Sequence, residues 1–221
     1  MFIELVDALR CPNAHEESWM VASSDRMEAR HIVTGTVGCP VCSAVFPIRE
    51  GVVDFRRASA PPVAHRAAGS ADEAMRLAAL LDLTDAQGFA VLLGEWGNQA
   101  HELHGIVDTP LVLVDPPEGI TGAPGISVIR GDGTIPLAER AARAVAVDAA
   151  DSARVASAVR VARAGGRVIA PATASLPDDV TELARDARIW LGERHAATSE
   201  MVSLHVRRGS APGAESPRPF P

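Results

Sequence analysis

Two cysteines separated by proline and valine constrain this chain more than any other feature. They sit in Gly38-Cys39-Pro40-Val41-Cys42-Ser43-Ala44-Val45-Phe46-Pro47-Ile48-Arg49-Glu50-Gly51-Val52-Val53-Asp54-Phe55. A Cys-Pro-x-Cys turn that runs at once into an apolar strand is half of a metal knuckle, and it needs a second pair of ligands to close. The segment Cys11-Pro12-Asn13-Ala14-His15, after the amphipathic stretch Phe2 to Leu9, supplies that pair within one loop. The expected ligand set is therefore Cys11, His15, Cys39 and Cys42, a nitrogen and sulfur set that suits tetrahedral zinc. His31 is the alternative fourth ligand, and a Cys39–Cys42 redox pair is the competing reading. Three cysteines in all, an odd number, argue against a disulfide framework and for a reducing compartment, so a cytoplasmic protein is expected.

Between the two turns the sequence predicts strands over Ser18 to Ser23 and Ala29 to Val37, joined at Ser24-Asp25-Arg26. Further strands are predicted over Ala44 to Ile48 and Val52 to Phe55. So few apolar side chains could hardly hold this unit together without the ion. Leu9-Arg10-Cys11-Pro12 and Cys39-Pro40-Val41-Cys42, running into Phe46 to Val53, resemble the small zinc-ribbon family that activates tRNA and protein methyltransferases. That ribbon also occurs fused to methyltransferase domains. The resemblance covers about a quarter of the chain and implies bound zinc and a protein partner engaged through the ribbon. Ala14 departs from it by standing where a second cysteine would complete a four-cysteine site.

The remainder predicts a second unit. Residues 57–69, with Pro61-Pro62, read as a linker after a ribbon of residues 1–56, and residues 208–221 read as a disordered tail. Within residues 70–207, a helix starts at Ser70 and carries Met75, Leu77, Ala78, Leu80 and Leu81 on its apolar face. Strands are predicted at Phe89–Leu93, Leu111–Val114, Ile126–Ile129, Ala144–Val147 and Arg167–Ala170, then around Arg188–Leu191 and at Met201–Val206. Helices are predicted at Asn98–His104, Leu137–Arg143, Ser152–Ala164 and Asp178–Arg185. Continuous apolar runs separated by helices indicate a parallel sheet buried on both faces. The fold class is thus α/β: a small zinc ribbon plus a reduced Rossmann-like domain closed by an antiparallel hairpin.

That order of elements, over about 130 residues, resembles the S-adenosylmethionine-dependent methyltransferase fold. The resemblance implies S-adenosylmethionine as cofactor, with Asp115 meeting the ribose hydroxyls and Asp132 the adenine amine. The glycine turn would be Gly94-Glu95-Trp96-Gly97, in which Gly94 and Gly97 would border the cofactor. This turn has two glycines rather than three, with Trp96 between them as a stacking surface or a plug. The connection from Asp115 to Gly125 is too short for a crossover helix, which would leave one face of the sheet thinly covered. Asp148 is read as an N-cap for the helix that follows, together with Asp151 and Ser152. His101 and His104 are three apart on a short helix without a third ligand, and His65, His195 and His205 have no nucleophile nearby.

Net charge is −7 and all 21 basic residues are arginines spread along the chain, so charge does not indicate a nucleic-acid groove. No apolar run reaches bilayer length, and no membrane partner is expected. Two functions follow: a methyltransferase of unknown substrate, in which positioning does most of the catalytic work, or a non-catalytic module that supports another methyltransferase.

Overall fold

A computed structural model describes residues 1–56, 69–131 and 133–196. Its strands form a single eleven-stranded sheet in the order β1-β2-β3-β4-β7-β6-β5-β8-β9-β11-β10. Residues 1–56, the segment expected to be a ribbon, contribute β1 (Val21–Glu28), β2 (His31–Gly38), β3 (Val45–Arg49) and β4 (Val52–Asp54) as an antiparallel meander. The first hairpin turns at Ala29-Arg30, both at positive φ (44° and 65°), and not at the polar Ser24-Asp25-Arg26. Those three residues lie inside β1, where the ladder slips between Ser24 and Met27. A polar triplet is a turn signal only when the strand cannot absorb it, and this one is absorbed in an exposed edge strand with irregular pairing.

The parallel core is β5 (Ala90–Leu93), β6 (Leu111–Val114), β7 (Ile126–Arg130), β8 (Ala142–Ala146) and β9 (Ala162–Pro171). Alternate residues of these buried strands serve two cores. Val91, Leu93, Val112, Val114 and Val145 join one cluster with Leu5, Leu9, Val155 and Val159. Ala90, Leu92, Leu111, Leu113, Ala144 and Ala146 join another with Leu77, Leu81 and Leu103. Burial of each large aliphatic contributes roughly 1.5–3 kcal/mol, so the both-faces pattern is what the continuous apolar runs encode. The second face is covered by α2 (Ala71–Leu80), whose N-cap Ser70 accepts from Glu73 N at 3.2 Å, and by α3 (Ala100–His104). Met75 faces solvent instead of this core. The first face is covered by α4 (Ser152–Val161) and the N-terminal segment containing α1 (Leu5–Ala8). Phe2 N donates to Ser127 Oγ on β7 at 2.9 Å, and Arg10 N to Pro136 O. The face expected to be bare above the short 115–125 connection is therefore roofed by the ribbon's own first turn of helix.

Three expected elements differ. Residues 137–143 are not a helix: Leu137 bridges Leu9 and the chain enters β8 at Ala142. Val180–Arg185 is a strand, β10, not a helix, and it pairs with β11 (Ile189–Arg194) to form the terminal hairpin. That hairpin lies one element earlier than predicted, and Met201–Val206 falls outside the described residues. The helix before β9 stops at Val161, and Gly165-Gly166 occupies a bulge within β9 rather than a helix end. A Cβ on Gly166 would stand 2.7 Å from Arg143 O, which is why the pair is glycine.

Two connections position the site. First, β4 pairs in parallel with β7, Val52 opposite Val128 and Asp54 opposite Arg130, so the ribbon covers what would be the open edge of the core. Secondly, the chain runs β5, β6, β7 outward on one side and then restarts with β8 and β9 on the other. The order 3-2-1-4-5, counted from β5, is that of the doubly wound Rossmann fold, and its crevice lies at the carboxyl ends of β5 and β8. The reversed β11 inserted before β10 completes the antiparallel close.

Candidate metal centre and crevice

The first site is built from two turns brought together by β2 and β3. Ligand atoms of Cys11, His15, Cys39 and Cys42 all lie within 4.8 Å of one another. Cys11 Sγ is 3.7 Å from Cys42 Sγ, and His15 Nε2 is 3.4 Å from Cys39 Sγ. Zinc bonds of about 2.3 Å to sulfur and about 2.0 Å to nitrogen give tetrahedral edges of about 3.5–3.8 Å, so the four atoms fit one ion. His15 Nδ1 lies 2.5 Å from Glu16 O. A carbonyl can only accept, so the proton sits on Nδ1 and the Nε2 lone pair is left to point at the sulfurs, as outer partners of metal-bound imidazoles do. His31 is not in the cluster. It is buried at the far end of the hairpin, with Nε2 2.6 Å from the amino group of Met1.

Hydrogen-bond donors outweigh burial at two of the three sulfurs, Cys39 and Cys42, but not at Cys11. Burial pushes the Cys11 thiol up to about 12, against the amide of Asn13. Side-chain donation from Asn13 and the amide of Ala44 bring Cys42 down to about 6. At Cys39 burial opposes ionisation, but the amides of Cys42 and Val41 and the Cys11 thiol outweigh it, so its pKa is lowered. His15 is raised, chiefly by the Glu16 carbonyl. Three sulfurs crowded at these distances cannot all ionise without a cation among them.

The second site is the crevice. After β5 the chain forms a 3-10 turn over Gly94–Gln99, and Val147-Asp148 leaves β8 beside it. A cleft of about 540 Å³ opens here, lined by Glu73, Glu95, Trp96, Gln99, Asp148 and Arg188 among others. A second, of about 480 Å³, opens at the ends of β6 and β7 and is lined by Arg56, Asp115, Glu118, Arg130, Gly131 and Arg154. Each has the size of a small-molecule site. Gly94, at φ +53°, carries the Asp148 carboxylate against its Cα, and Asp148 Oδ2 also accepts from Glu95 N at 2.9 Å. Asp148 therefore is not the N-cap of α4. That position belongs to Asp151, which accepts from Arg154 N. Gly97 abuts Pro116, whose Cβ would stand 2.6 Å from a Cβ added there. Trp96 lies across the switch point and donates from Nε1 to Val147 O at 3.0 Å.

Asp115 ends β6 in the left-handed region, φ 48°. Its Oδ1 accepts from Gly131 N at 2.7 Å, and its Oδ2 is 3.6 Å from Arg154. Burial raises its pKa, against the Gly131 amide and the charge of Arg154. Asp132 lies outside the described residues, as do His65 and His205. His101 is exposed, His104 packs against Gly125, and His195 Nε2 lies 2.8 Å from Thr181 Oγ1, so none of these completes a catalytic group. Sequence reasoning missed the Gln99 Nε2 to Glu73 Oε2 hydrogen bond at 2.9 Å, which joins α2 to the turn after β5. It also missed Asn13.

No family description and no curated protein sequence matches this chain. Solved structures similar to parts of it include a geranyl diphosphate methyltransferase in complex with SAM, at 13% identity over 45% of this chain and 48% of that one, TM-score 0.34. The MycE methyltransferase of mycinamycin biosynthesis matches at 11% identity over 65% and 54%, TM-score 0.40. The YcgJ protein of Bacillus subtilis matches at 15% identity over 45% and 50%, TM-score 0.35. The aligned part spans about half the length of each of these proteins. Among the described residues no helix is long and apolar enough to cross a membrane.

Proposed function

We propose that this is a methyltransferase-like protein that holds zinc structurally in its N-terminal knuckle and S-adenosylmethionine in the crevice at the ends of β5, β6 and β8, with an unknown substrate. The observation that carries the reading is the sheet order, with its switch point between β5 and β8 and two clefts opening beside it. In this reading the amino-acid end of the cofactor lies near Gly94 and Gly97, and the nucleoside end near Asp115. Asp115 retains acceptor capacity for a ribose hydroxyl, since a carboxylate accepts up to about four hydrogen bonds and two neighbours engage it here. When bound, the cofactor supplies an electrophilic methyl group, and the chain's part is to orient a nucleophile and exclude water. Calorimetric titration of zinc-loaded protein with S-adenosylmethionine tests this. Saturable heat is expected, and no heat at millimolar cofactor removes the enzyme.

A second reading, a non-catalytic module, is favoured by one observation: the space beside both expected glycines, Gly94 and Gly97, is already filled from within the chain. Asp148 fills Gly94, Pro116 fills Gly97, and Trp96 bridges to Val147. The Trp96→Ala variant separates the two. Heat in the variant and none in the wild type identifies Trp96 as a plug, whereas silence in both supports the module. If the ribbon engages a partner, β4 is not the edge it offers, since β7 occupies that edge here.

A further inference from the structure

The two knuckles are not equivalent. In the second, Cys39 and Cys42 follow the Cys-Pro-x-Cys spacing. In the first, Ala14 carries no ligand and the chain runs one residue further to His15. The residue between Pro12 and Ala14 is Asn13, and it meets two of the three sulfurs. Its side-chain Nδ2 donates to Cys42 Sγ at 3.3 Å, and its backbone amide faces Cys11. Cys39 is buried, but Cys42 is exposed and has little packing to fix its rotamer. The amides that face Cys39 are those of Val41 and Cys42, and one on Cys42 is that of Ala44, all from the same turn. The Asn13 contact differs in kind, because it is a side chain reaching from the opposite knuckle.

We propose that Asn13 is a positioning residue of the metal centre, which holds Cys42 in its ligating rotamer and ties the two turns together through an N–H···S hydrogen bond. This rests on reading the four-residue cluster as a zinc site. The amide N–H offsets part of the negative charge that three thiolates and one neutral imidazole leave on a divalent ion. It also lowers the entropy lost when an exposed cysteine is fixed. A donor of this kind is expected to matter to the ion nearly as much as a weak ligand, because outer partners of ligating atoms typically account for 10–100-fold in metal affinity.

The test uses the full chain and two variants, Asn13→Ala and Asn13→Leu, the second keeping side-chain volume while removing the donor. Zinc affinity is measured by competition with a chromophoric chelator. Co2+ replaces zinc for spectroscopy, and Cys42 alkylation by iodoacetamide is timed in the loaded protein. The expected result is a loss of affinity of about 10–100-fold in both variants. The sulfur-to-Co2+ charge-transfer band should keep a three-thiolate intensity but move to longer wavelength, and Cys42 should alkylate faster. A role limited to packing would spare the leucine variant and leave the band in place. Affinities within twofold of wild type in both variants, with an unmoved band, overturn the role of Asn13 while leaving the metal centre intact. A wild-type protein that takes up neither Zn2+ nor Co2+ overturns the metal centre itself, and this role with it.

Discussion

The metal cluster and the crevice use their side chains in opposite ways. In the knuckles, four side chains from two distant turns converge on a point where nothing else in the chain needs them: three sulfurs and a ring nitrogen face one another, with amides behind them. In the crevice, residues expected to face a cofactor meet neighbours of their own chain: Gly94 meets the Asp148 carboxylate, Asp115 accepts from Gly131 N, and Gly97 abuts Pro116. Three sulfurs and an imidazole at these distances, with only N–H···S donors behind the sulfurs, point to an external cation, because the cost of ionising the sulfurs together is relieved only by one. Where the chain's own neighbours already fill the space beside Gly94 and Gly97, a ligand must compete with contacts that already exist. Electrostatic need is the stronger of the two signals.

The largest expected effect lies at the Cys/His cluster. Removing zinc with a chelator, or Cys39→Ser, should cost several kcal/mol, because binding energy in a structural zinc site is folding energy. For a chain of this size that lowers the melting temperature by on the order of 10 °C. Since Val52, Val53 and Asp54 form a ladder with β7 and residues 1–9 cover the first face of the core, the loss should appear in a single transition. Differential scanning calorimetry checks it. Two transitions, with the upper one unmoved by metal removal, would show that the ribbon and the parallel core melt as separate bodies.

This seam explains what could and could not be read from the sequence. Both halves of the Cys/His cluster were legible, since each is a local turn with fixed spacing, and so were β5 to β8, as largely apolar runs flanked by turn residues. The β4–β7 ladder was not legible: Val52-Val53-Asp54 reads as the end of a ribbon, and nothing in three residues announces a parallel partner about seventy-five positions away. The terminal hairpin was displaced because Val180–Arg185 lacks the strict alternation of a half-buried strand and pairs Glu182 with Arg185 three residues apart, while its real environment is a sheet edge at which only Val180 is buried. The roles of Asp148 and Gly97 depend on close approach between loops, which no local pattern records.

A smaller effect sharpens the crevice side. Gly97→Ala places a methyl group against the rigid Pro116 ring at 2.6 Å, and overpacking of this kind costs about 1–3 kcal/mol. Urea denaturation should show that loss without a change in slope. If the turn after β5 has room to move aside, the cost falls to the few tenths typical of exposed sites, and the self-closure described for the crevice is then loose enough to admit a ligand. Zinc affinity should be unchanged in this variant, which separates the two regions directly.

The smallest effect lies at the seam itself. Asp54 ends β4 opposite Arg130 on β7 and makes a two-pronged pair with Arg56, Nη2 to Oδ2 at 2.8 Å and Nε to Oδ1 at 2.9 Å. The Arg56 guanidinium lowers the Asp54 pKa below its ordinary 3.8, against the opposing effect of burial, with help from the Arg56 amide and the charge of Arg130. A depressed carboxyl pKa contributes stability that is fully present above the unfolded value and is lost as pH falls through the folded one. The pair is partly exposed, 23% and 30% of each side chain, so solvent screening limits the contribution to about 1 kcal/mol or less. Asp54→Asn should therefore be less stable than wild type at pH 7 by that amount, with the difference closing below about pH 4, near the unfolded aspartate value. Chemical denaturation at pH 7, 5 and 3 reads it directly. A difference that persists at pH 3 would assign the loss to the β4–β7 ladder rather than to the charge, and so would place the tie between ribbon and crevice in the backbone alone.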